Sequence, residues 1–259
     1  MKPGLSAFIL ALTMLGAGNS WATAPVSTGL FRAAVSDPSI RPADKALPGQ
    51  TRVVRVNRGQ LRSGRLHLNI GLGPVMTAER ERLVEHGDGS LTWVGRIAGD
   101  AQSTVTFAAG AESVAGTVRT GGRLFKLLPA GKGRHVLSEV PPGDPYPELG
   151  PIPVGDTAVS SPTPPADALA VADDGSSVDV LALYTPASVN RYGGVDGIEA
   201  LIQLAITETN QAYLNSGVVT RLRLAHTALV DYTESGSMQT DLDRLRSVSD
   251  GYMDEAHAL

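Results

Sequence analysis

Short alternating runs of apolar and polar residues, separated by glycines, fill the chain from about residue 51 to residue 140. Alternation with a period of two places successive side chains on opposite faces of a strand, so it predicts strands with one buried face. The pairs Asp88-Gly89 and Gly121-Gly122 are typical of tight hairpin turns. The pattern therefore predicts an antiparallel, β-rich unit, whose clearest apolar alternation comprises Leu66, Leu68, Ile70, Leu72, Val105 and Phe107.

One segment of this unit has an ambiguous pattern. Residues 77–86, TAERERLVEH, are rich in charged side chains. Such a sequence suits a short helix or an exposed strand equally well, and the sequence leaves both open.

The pattern changes in the last third of the chain. VDVLALYTP at 178–186 is a continuous apolar run that ends at a proline, as is typical of a strand buried on both faces. Residues 195–213 carry apolar side chains at helical spacing, and Asn-Ser-Gly at 215–217 is a helix-ending sequence. RLRLAHTALVDY at 221–232 predicts a second strand. These elements form a βαβ unit, in which we expect parallel strands and a right-handed crossover.

The final segment predicts one more helix. Ser237 is a good N-cap, and no stop signal stands at Leu259, so we expect the helix to continue to the last residue. A βα-βα stretch of about 80 residues offers too few partners for its apolar faces. We therefore expect a fragment of a longer reading frame, with a loosely packed 178–259 part. The expected apolar face of the last helix comprises Leu242, Leu245, Val248, Tyr252, Ala256 and Leu259.

The first 22 residues have the pattern of a signal peptide. Lys2 precedes the apolar run 5–18, and small residues stand at Ser20 and Ala22, after which we expect cleavage. About 14 apolar residues fall short of the ~20 that a membrane-spanning helix needs. The sequence therefore predicts export, and a secreted protein that is free of the membrane after cleavage.

A second segment without a core pattern follows the β-rich unit. Residues 141–165 contain 9 of the 17 prolines, and residues 143–178 contain six acidic side chains but no lysine or arginine. Such a composition cannot bury enough apolar area to offset its ordering entropy. The sequence predicts a cleavable linker at 143–177, between a β-rich unit at 23–142 and a second domain at 178–259.

Charge and cysteine content exclude several classes of protein. The net charge of −4 argues against a general nucleic-acid binder. Residues 23–142 carry a net charge of +7, with 16 basic and 9 acidic side chains, whereas residues 179–259 carry −6, with 5 basic and 11 acidic. We expect these parts to attract one another. There is no cysteine, so disulfides, thiolate zinc ligands and thiol-based latency are excluded for this chain.

The histidines do not form a known metal motif. No two of them stand at i, i+4, and H-E-x-x-H does not occur. We expect His226 to be a structural residue of its strand and His257, near Asp254 and Glu255, to lie on a solvated helix face. The five histidines are His67, His86, His135, His226 and His257.

Other catalytic motifs are also missing. G-x-S-x-G and the phosphate-binding glycine motifs do not occur. Asp173-Asp174 falls in the predicted linker, and Asp241 and Asp243 fall at the start of the last helix, where acids complement the helix dipole. The sequence therefore assigns no catalytic, cofactor-binding or metal-binding residue.

Three segments nevertheless resemble a known family. VDVLALYTPASVNRYGG (178–194), the helix at 198–218 and the strand at 221–232 resemble the start of bacterial reprolysin-like metzincin domains, and within them the peptidyl-Asp metalloendopeptidases. LTWVGRIAGDAQSTVTFAAG (91–110) is similar to the propeptides of such secreted peptidases. The resemblance implies an α+β fold overall: a β-rich antiparallel prodomain, then the N-terminal βαβα part of a metzincin-like α/β catalytic domain.

The resemblance also implies a chemistry. The family binds zinc through H-E-x-x-H-x-x-G-x-x-H, whose Glu activates a zinc-bound water, and no part of that motif occurs in this sequence. It implies a zymogen fragment of a secreted zinc metalloendopeptidase, acting on peptide or protein substrates at acidic residues when full-length, without zinc or activity in this fragment. The alternative is a non-enzymatic exported protein whose β-rich domain binds a partner, although only 5% of the residues are aromatic.

Overall fold

The computed structural model describes residues 29–35, 37–71, 73–141 and 177–259. The predicted signal peptide at 1–22 and the predicted linker at 143–177, apart from Ser177, lie outside these residues. Within the described ranges, no helix combines the length and apolarity needed to cross a membrane.

Residues 29–141, which we call the β unit, form one antiparallel sheet of nine strands, so the predicted antiparallel, β-rich architecture is confirmed. The sheet order is β1-β2-β9-β8-β7-β6-β5-β4-β3, and a short 3₁₀-helix, Arg58–Arg62, connects β2 to β3. The strands are β1 (Phe31–Ala33), β2 (Thr51–Val56), β3 (Arg65–Leu68), β4 (Met76–Glu85), β5 (Leu91–Ile97), β6 (Thr104–Ala109), β7 (Val114–Thr120), β8 (Arg123–Pro129) and β9 (His135–Val140).

The ambiguous segment 77–86 is a strand, since it forms nearly all of β4. It pairs with β3 on one side and β5 on the other, and its register with β5 shifts between Arg80 and Arg82. Its acidic side chains remain in solvent: Glu79 pairs with Arg65 on β3 at 3.3 Å, and Glu81 with Arg96 on β5 at 2.5 Å. Charges at solvent-facing positions are compatible with a strand that is paired on both sides.

The two edges of the sheet nearly meet. The amide of Leu30, just before β1, donates to the carbonyl of His67 on β3 at 2.8 Å. Asn69 then binds both backbone groups of Phe31, accepting from its amide at 3.0 Å and donating to its carbonyl at 2.6 Å. Because the edges are joined in this way, the sheet curls around its own apolar side chains.

The core fills the inside of this curled sheet. Leu66 and Leu68 are fully buried and Ile70 almost so, as the alternation predicts, whereas Leu72 lies outside the described residues. The ring of Phe107 lies 6.3 Å from Phe31 and 6.4 Å from Trp93 between centroids. Further members of the cluster are Val54, Leu61, Val105, Val114, Val118, Phe125 and Leu127.

Residues 177–259, which we call the C-terminal segment, contain the predicted βαβ unit. Strands β10 (Ser177–Tyr184) and β11 (Arg221–Leu229) are parallel, and α2 (Val195–Asn215) connects them after a short helix, α1 (Pro186–Arg191). As predicted, α2 ends at Asn215, and Gly217 has the positive φ of 71° that favours glycine. Thr185 caps α1 by accepting from the Ser188 amide at 3.2 Å.

The prediction that residues 178–186 form a strand buried on both faces is wrong. In β10 only Tyr184 is buried, while Val178 is 48% and Leu181 39% exposed. Among the described residues β10 pairs with β11 alone, in a sheet of two strands. Full burial of a parallel strand needs neighbours and cover on both faces, which two strands and one helix do not provide.

The single final helix is also a wrong prediction. Helix α3 begins as expected after Ser237, whose side chain accepts from the Thr240 amide at 3.4 Å, but it ends at Arg246 (Met238–Arg246). The chain then bends, and Asp254–Ala258 forms a 3₁₀-helix. The bend lets Met253 pack on Val230 and Tyr232, so a tertiary contact overrides the continuous apolar spacing.

Candidate functional site

Helix α2 lies against the outer face of the β unit. Ala200 and Leu204 of α2 pack on Ala108 of β6 and Ala115 of β7, and all four are buried. Small side chains on the sheet allow the helix to approach closely, and the covered strands are consequently buried on both faces. This contact joins the two parts of the chain, and it is the candidate functional site.

The first turn of α2 is held by backbone amides of the β unit. Asp196 accepts hydrogen bonds from the amides of Ala111 at 2.5 Å, Glu112 at 2.9 Å and Ser113 at 2.6 Å. Burial raises the pKa of the Asp196 carboxyl, but the hydrogen bonds from these three residues outweigh it, and the pKa lies below its ordinary value. These donors therefore stabilise Asp196 in its ionised, carboxylate form.

The next amide in the chain binds a buried histidine. Val114 donates to Nε2 of His135 at 2.9 Å, so the neutral ring carries its proton on Nδ1. Nδ1 is buried beside the backbone of Val54 on β2, which favours protonation of the ring, although the two do not form a hydrogen bond of ordinary geometry. Burial, together with the positive charges of Arg58 and Arg55, lowers the pKa of His135 to about 4.

Residues 110–114, which we call the amide turn, are fixed from within the β unit. The guanidinium of Arg58 donates to the carbonyls of Gly110 and Ala111. The amide of Gly110 donates to the carbonyl of Ser113 at 3.0 Å. A Cβ at Gly110 would overlap Oδ1 of Asp196, so only glycine leaves room for the carboxylate.

Other polar contacts cross between the two parts. Glu208, three turns along α2 from Asp196, accepts from the hydroxyl of Thr117 on β7. Arg191 at the end of α1 pairs with Asp44 of the β unit at 2.7 Å. In this one described ion pair across the contact, the base belongs to the C-terminal segment and the acid to the β unit. The predicted attraction between a basic β unit and an acidic C-terminal segment is not carried by this ion pair, and Asp196 and Glu208 instead accept from uncharged amide and hydroxyl donors.

A cleft of about 490 Å³ opens beside Asp196, between the amide turn, α2 and β11. Two further carboxylates line it: Glu199 accepts from the hydroxyls of Thr227 at 3.1 Å and Tyr184 at 3.4 Å, and Asp88 accepts from the amide of Ser90 at 2.9 Å. All three carboxylates are therefore committed to structural hydrogen bonds, and the lining contains no histidine. The cleft offers no arrangement for nucleophilic or metal-assisted catalysis.

The five histidines have separate surroundings. His67 is exposed near Thr77, His86 bonds the hydroxyl of Thr92 at 3.1 Å, and His257 is exposed with Nε2 3.1 Å from the Ser247 carbonyl. His226 is exposed on β11, so the expectation of a structural role in the strand is not supported. His135, the one deeply buried histidine in the described ranges, had no sequence signal beyond its place in an apolar strand.

Of the two acidic pairs, only Asp241 and Asp243 lie in the part of the chain that the structure describes. Asp173-Asp174 lies outside the described residues. Asp241 in the first turn of α3 accepts from the Tyr232 hydroxyl and the Ser235 amide, while Asp243 accepts from Gln239 at 2.9 Å. Across the described part of the chain, no three histidine or acidic side chains group in a way that would hold a metal ion. The described residues thus do not fit a zinc ion.

Proteins of known name are similar to this chain along nearly its whole length. A peptidyl-Asp metalloendopeptidase of Stenotrophomonas maltophilia strain R551-3 is 32% identical over 96% of this chain and 63% of its own length. Another, from Xanthomonas campestris pv. campestris, is 31% identical over 98% of this chain and 65% of its own length. One from S. maltophilia strain K279a is 32% identical over 79% and 52%. No family model and no solved structure matches.

These similarities confirm the predicted relationship to the peptidyl-Asp metalloendopeptidases. The names of the relatives support a metallopeptidase, and they do not favour the alternative of a non-enzymatic binding protein. The chain spans between about half and two thirds of the length of the relatives it matches. The activity of a whole protein is therefore taken up as a proposal.

Proposed function

We propose that this chain supplies the prodomain and the first part of the catalytic domain of a secreted zinc metalloendopeptidase precursor. The β unit is the prodomain, and the C-terminal segment opens a metzincin-like catalytic domain. One observation carries this proposal: the similarity to proteins named peptidyl-Asp metalloendopeptidase runs through both parts of the chain, over 96% and 98% of its residues.

The contact between α2 and the β unit supports a role for the β unit in latency. Helix α2 is held at its first turn by the amide turn and further along by Thr117, with small apolar side chains between the two. The β unit cannot hold the precursor latent through a cysteine ligand, because this sequence has no cysteine. Steric cover by the docked β unit takes its place, until cleavage in residues 143–177 frees it.

The substrates we propose are peptide or protein chains, cleaved at aspartate, the residue that gives the relatives their name. Zinc would supply the activated water in the whole enzyme. The described residues do not fit zinc, and the H-E-x-x-H motif is absent from the sequence, so no hydrolytic step is assigned to this chain. The apolar run near the N-terminus supports secretion.

The first test is to sequence the coding DNA in frame for roughly 150 codons after codon 259. That length is enough to encode one further domain of ordinary size. We expect H-E-x-x-H-x-x-G-x-x-H there. The whole reading frame is then expressed and assayed on a peptide with one aspartate, against a matched peptide with asparagine at that position. Cleavage of the aspartate peptide alone, abolished by a chelator and restored by zinc, is the expected result. An immediate stop codon, or a zinc-loaded product that leaves the aspartate peptide intact, would overturn the proposal.

A further inference from the structure

We propose that the amide turn is a carboxylate-binding surface that keeps α2 on the β unit after the chain between them is cut, and that acid releases it. The inference deepens the proposed function, since it names the contact through which the β unit stays bound. The inference concerns only the binding of α2 to the β unit. An experiment can therefore refute it without refuting the proposed peptidase activity, and the reverse also holds.

The geometry of the amide turn is that of an anion receptor. Four successive backbone amides, from Ala111 to Val114, donate to side chains, three of them to Asp196 and the fourth to His135. Successive amides that point into one concavity bind anions well. Hydrogen bonds to a charged acceptor are also stronger than those between neutral groups.

The receptor is organised by the β unit itself. Arg58 binds the carbonyls of the turn, His135 binds its last amide, and Gly110 leaves the space that the carboxylate occupies. None of these groups belongs to the C-terminal segment, so the turn does not need the connecting chain to keep its shape. A preformed site loses little freedom on binding, which favours affinity.

The rest of the contact is also independent of the connection through residues 142–176. Buried Ala108 and Ala115 on the sheet pack against Ala200 and Leu204 on the helix. Glu208 binds Thr117 beyond them. Apolar packing flanked by hydrogen bonds at both ends resembles an interface between two chains. We infer that the two parts remain associated when the tether is cut.

Acid acts on both groups that the four amides bind, in the same direction. The pKa of Asp196 is lowered in the contact, so its stabilising effect is present above the ordinary carboxyl pKa and is lost as the pH falls through the lowered value. The pKa of His135 is lowered to about 4, so the neutral ring is favoured by folding, and this contribution declines as the pH falls from about 6.5 toward 4.

Protonation of His135 turns Nε2 into a donor that faces the amide of Val114. The other charged groups around this ring are Arg58 and Arg55, which repel the imidazolium, and Asp196, which attracts it. Two positive charges oppose one negative charge, and the negative one is itself lost in stronger acid. Acid therefore first weakens the hydrogen bond that fixes the amide turn, and at lower pH it neutralises the carboxylate that the turn binds.

The experiment uses the full chain with a recognition sequence for a specific protease inserted within residues 142–176. After complete cutting, size-exclusion chromatography and a dilution series measure whether the two products stay together at pH 7.5 and at pH 3.5. The variant Asp196→Asn removes the charge from the contact. Asp241→Asn is its matched control, because Asp241 stands in the first turn of α3 and bonds only within the C-terminal segment.

We expect the cut wild type and Asp241→Asn to co-elute at pH 7.5 and to bind with a higher dissociation constant at pH 3.5, where His135 is protonated. Asp196→Asn should raise the dissociation constant at pH 7.5 about ten-fold or more, since charge-assisted hydrogen bonds are weakened. Gly110→Ala, which blocks the same contact from the β unit, should do likewise if Asp196→Asn folds poorly. Separation of the cut wild type at pH 7.5, equal binding by the two Asp→Asn variants, or undiminished binding at pH 3.5 would each overturn the proposal.

Discussion

Asn210 on α2 pairs with both backbone groups of Leu222 on β11. Its Nδ2 donates to the Leu222 carbonyl at 2.8 Å, and its Oδ1 accepts from the Leu222 amide at 2.7 Å. The side chain thus acts as a short piece of neighbouring strand and ties the helix to the second strand of the βαβ unit. On its other side the same helix contacts the β unit, so α2 connects the two parts of the molecule.

Replacing Asn210→Leu should lower the free energy of unfolding of the C-terminal segment by about 1–3 kcal/mol, because it leaves two half-buried backbone groups of Leu222 without partners. Chemical denaturation followed by circular dichroism measures the change. Gln211→Ala serves as the control, since Gln211 is half-buried like Leu222 but its side chain bonds Asn215 on its own helix. Equal midpoints for the two variants would contradict the role of Asn210.

Gly95 in β5 has no room for a side chain. A Cβ there would overlap the Glu79 carbonyl and the ring of Trp93, close to the register shift in β4. Gly95→Ala should therefore destabilise the β unit by about 1–3 kcal/mol through overpacking. Gly87→Ala, in a turn where nothing lies within 4 Å of the added Cβ, should change stability by less than about 0.5 kcal/mol. Thermal melting of both variants measures the difference in stability between them. Equal melting temperatures would mean that the sheet adjusts to the added methyl group at Gly95 without cost.

The buried His135 predicts a pH dependence for the stability of the β unit. Its pKa falls to about 4 because burial disfavours the imidazolium, so the unfolded state binds more protons between pH 4 and pH 6.5. The free energy of unfolding should decrease by about 3 kcal/mol as the pH drops across that range. A His135→Gln variant should be less stable at pH 7 yet lack most of this slope. Urea titrations at several pH values measure the free energy of unfolding of both proteins. An unchanged pH dependence in the variant would mean that another group causes the effect.

The ion pair between Arg191 and Asp44 should contribute little to the contact between the two parts. Their side chains are 33% and 87% exposed, and exposed pairs are screened by solvent and salt. A double-mutant cycle with Arg191→Ala and Asp44→Ala should give a coupling below about 1 kcal/mol. Repeating it in high salt provides the control. A larger coupling energy that high salt abolishes would contradict this prediction, because it would show that the ion pair stabilises the contact substantially.

The C-terminal segment should exchange its amide hydrogens faster than the β unit. Its strand pair leaves Val178, Leu181 and Leu229 39–53% exposed, whereas the central strands of the β unit are buried on both faces. Hydrogen exchange read by mass spectrometry should give slow exchange in β5 to β8 and fast exchange in α3. Strong protection throughout 177–259 would mean that this segment is already a tightly packed domain.

Local patterns predicted most of the elements because the physics that forms them is local. Leu66 and Leu68 alternate with exposed neighbours, and the sequence at 215–217 ends α2 by its own conformational preferences. The burial of β10 and the end of α3 were predicted wrongly for the opposite reason. They depend on what covers Leu181 and on the packing of Met253 against Tyr232. The sequence around these residues does not predict either contact.

The contact at Asp196 lay beyond sequence reasoning for the same reason. In the sequence, an acid in the first turn of a helix indicates only an interaction with the helix dipole. Its partners, Ala111, Glu112 and Ser113, are 83 to 85 residues away. The only nearby signal was Gly110, and a single glycine between two strands is typical of any tight turn.

The sheet order has a consequence for how this architecture can be reused. Strands β1 and β9, the first and last of the β unit, both pair with β2. Strands β1 and β9 flank β2 and run parallel to one another, so the chain enters at one end of these strands and leaves at the other. The β unit completes this sheet with its own nine strands, so a partner domain can change its sequence freely as long as it presents a carboxylate to the amides of Ala111, Glu112 and Ser113.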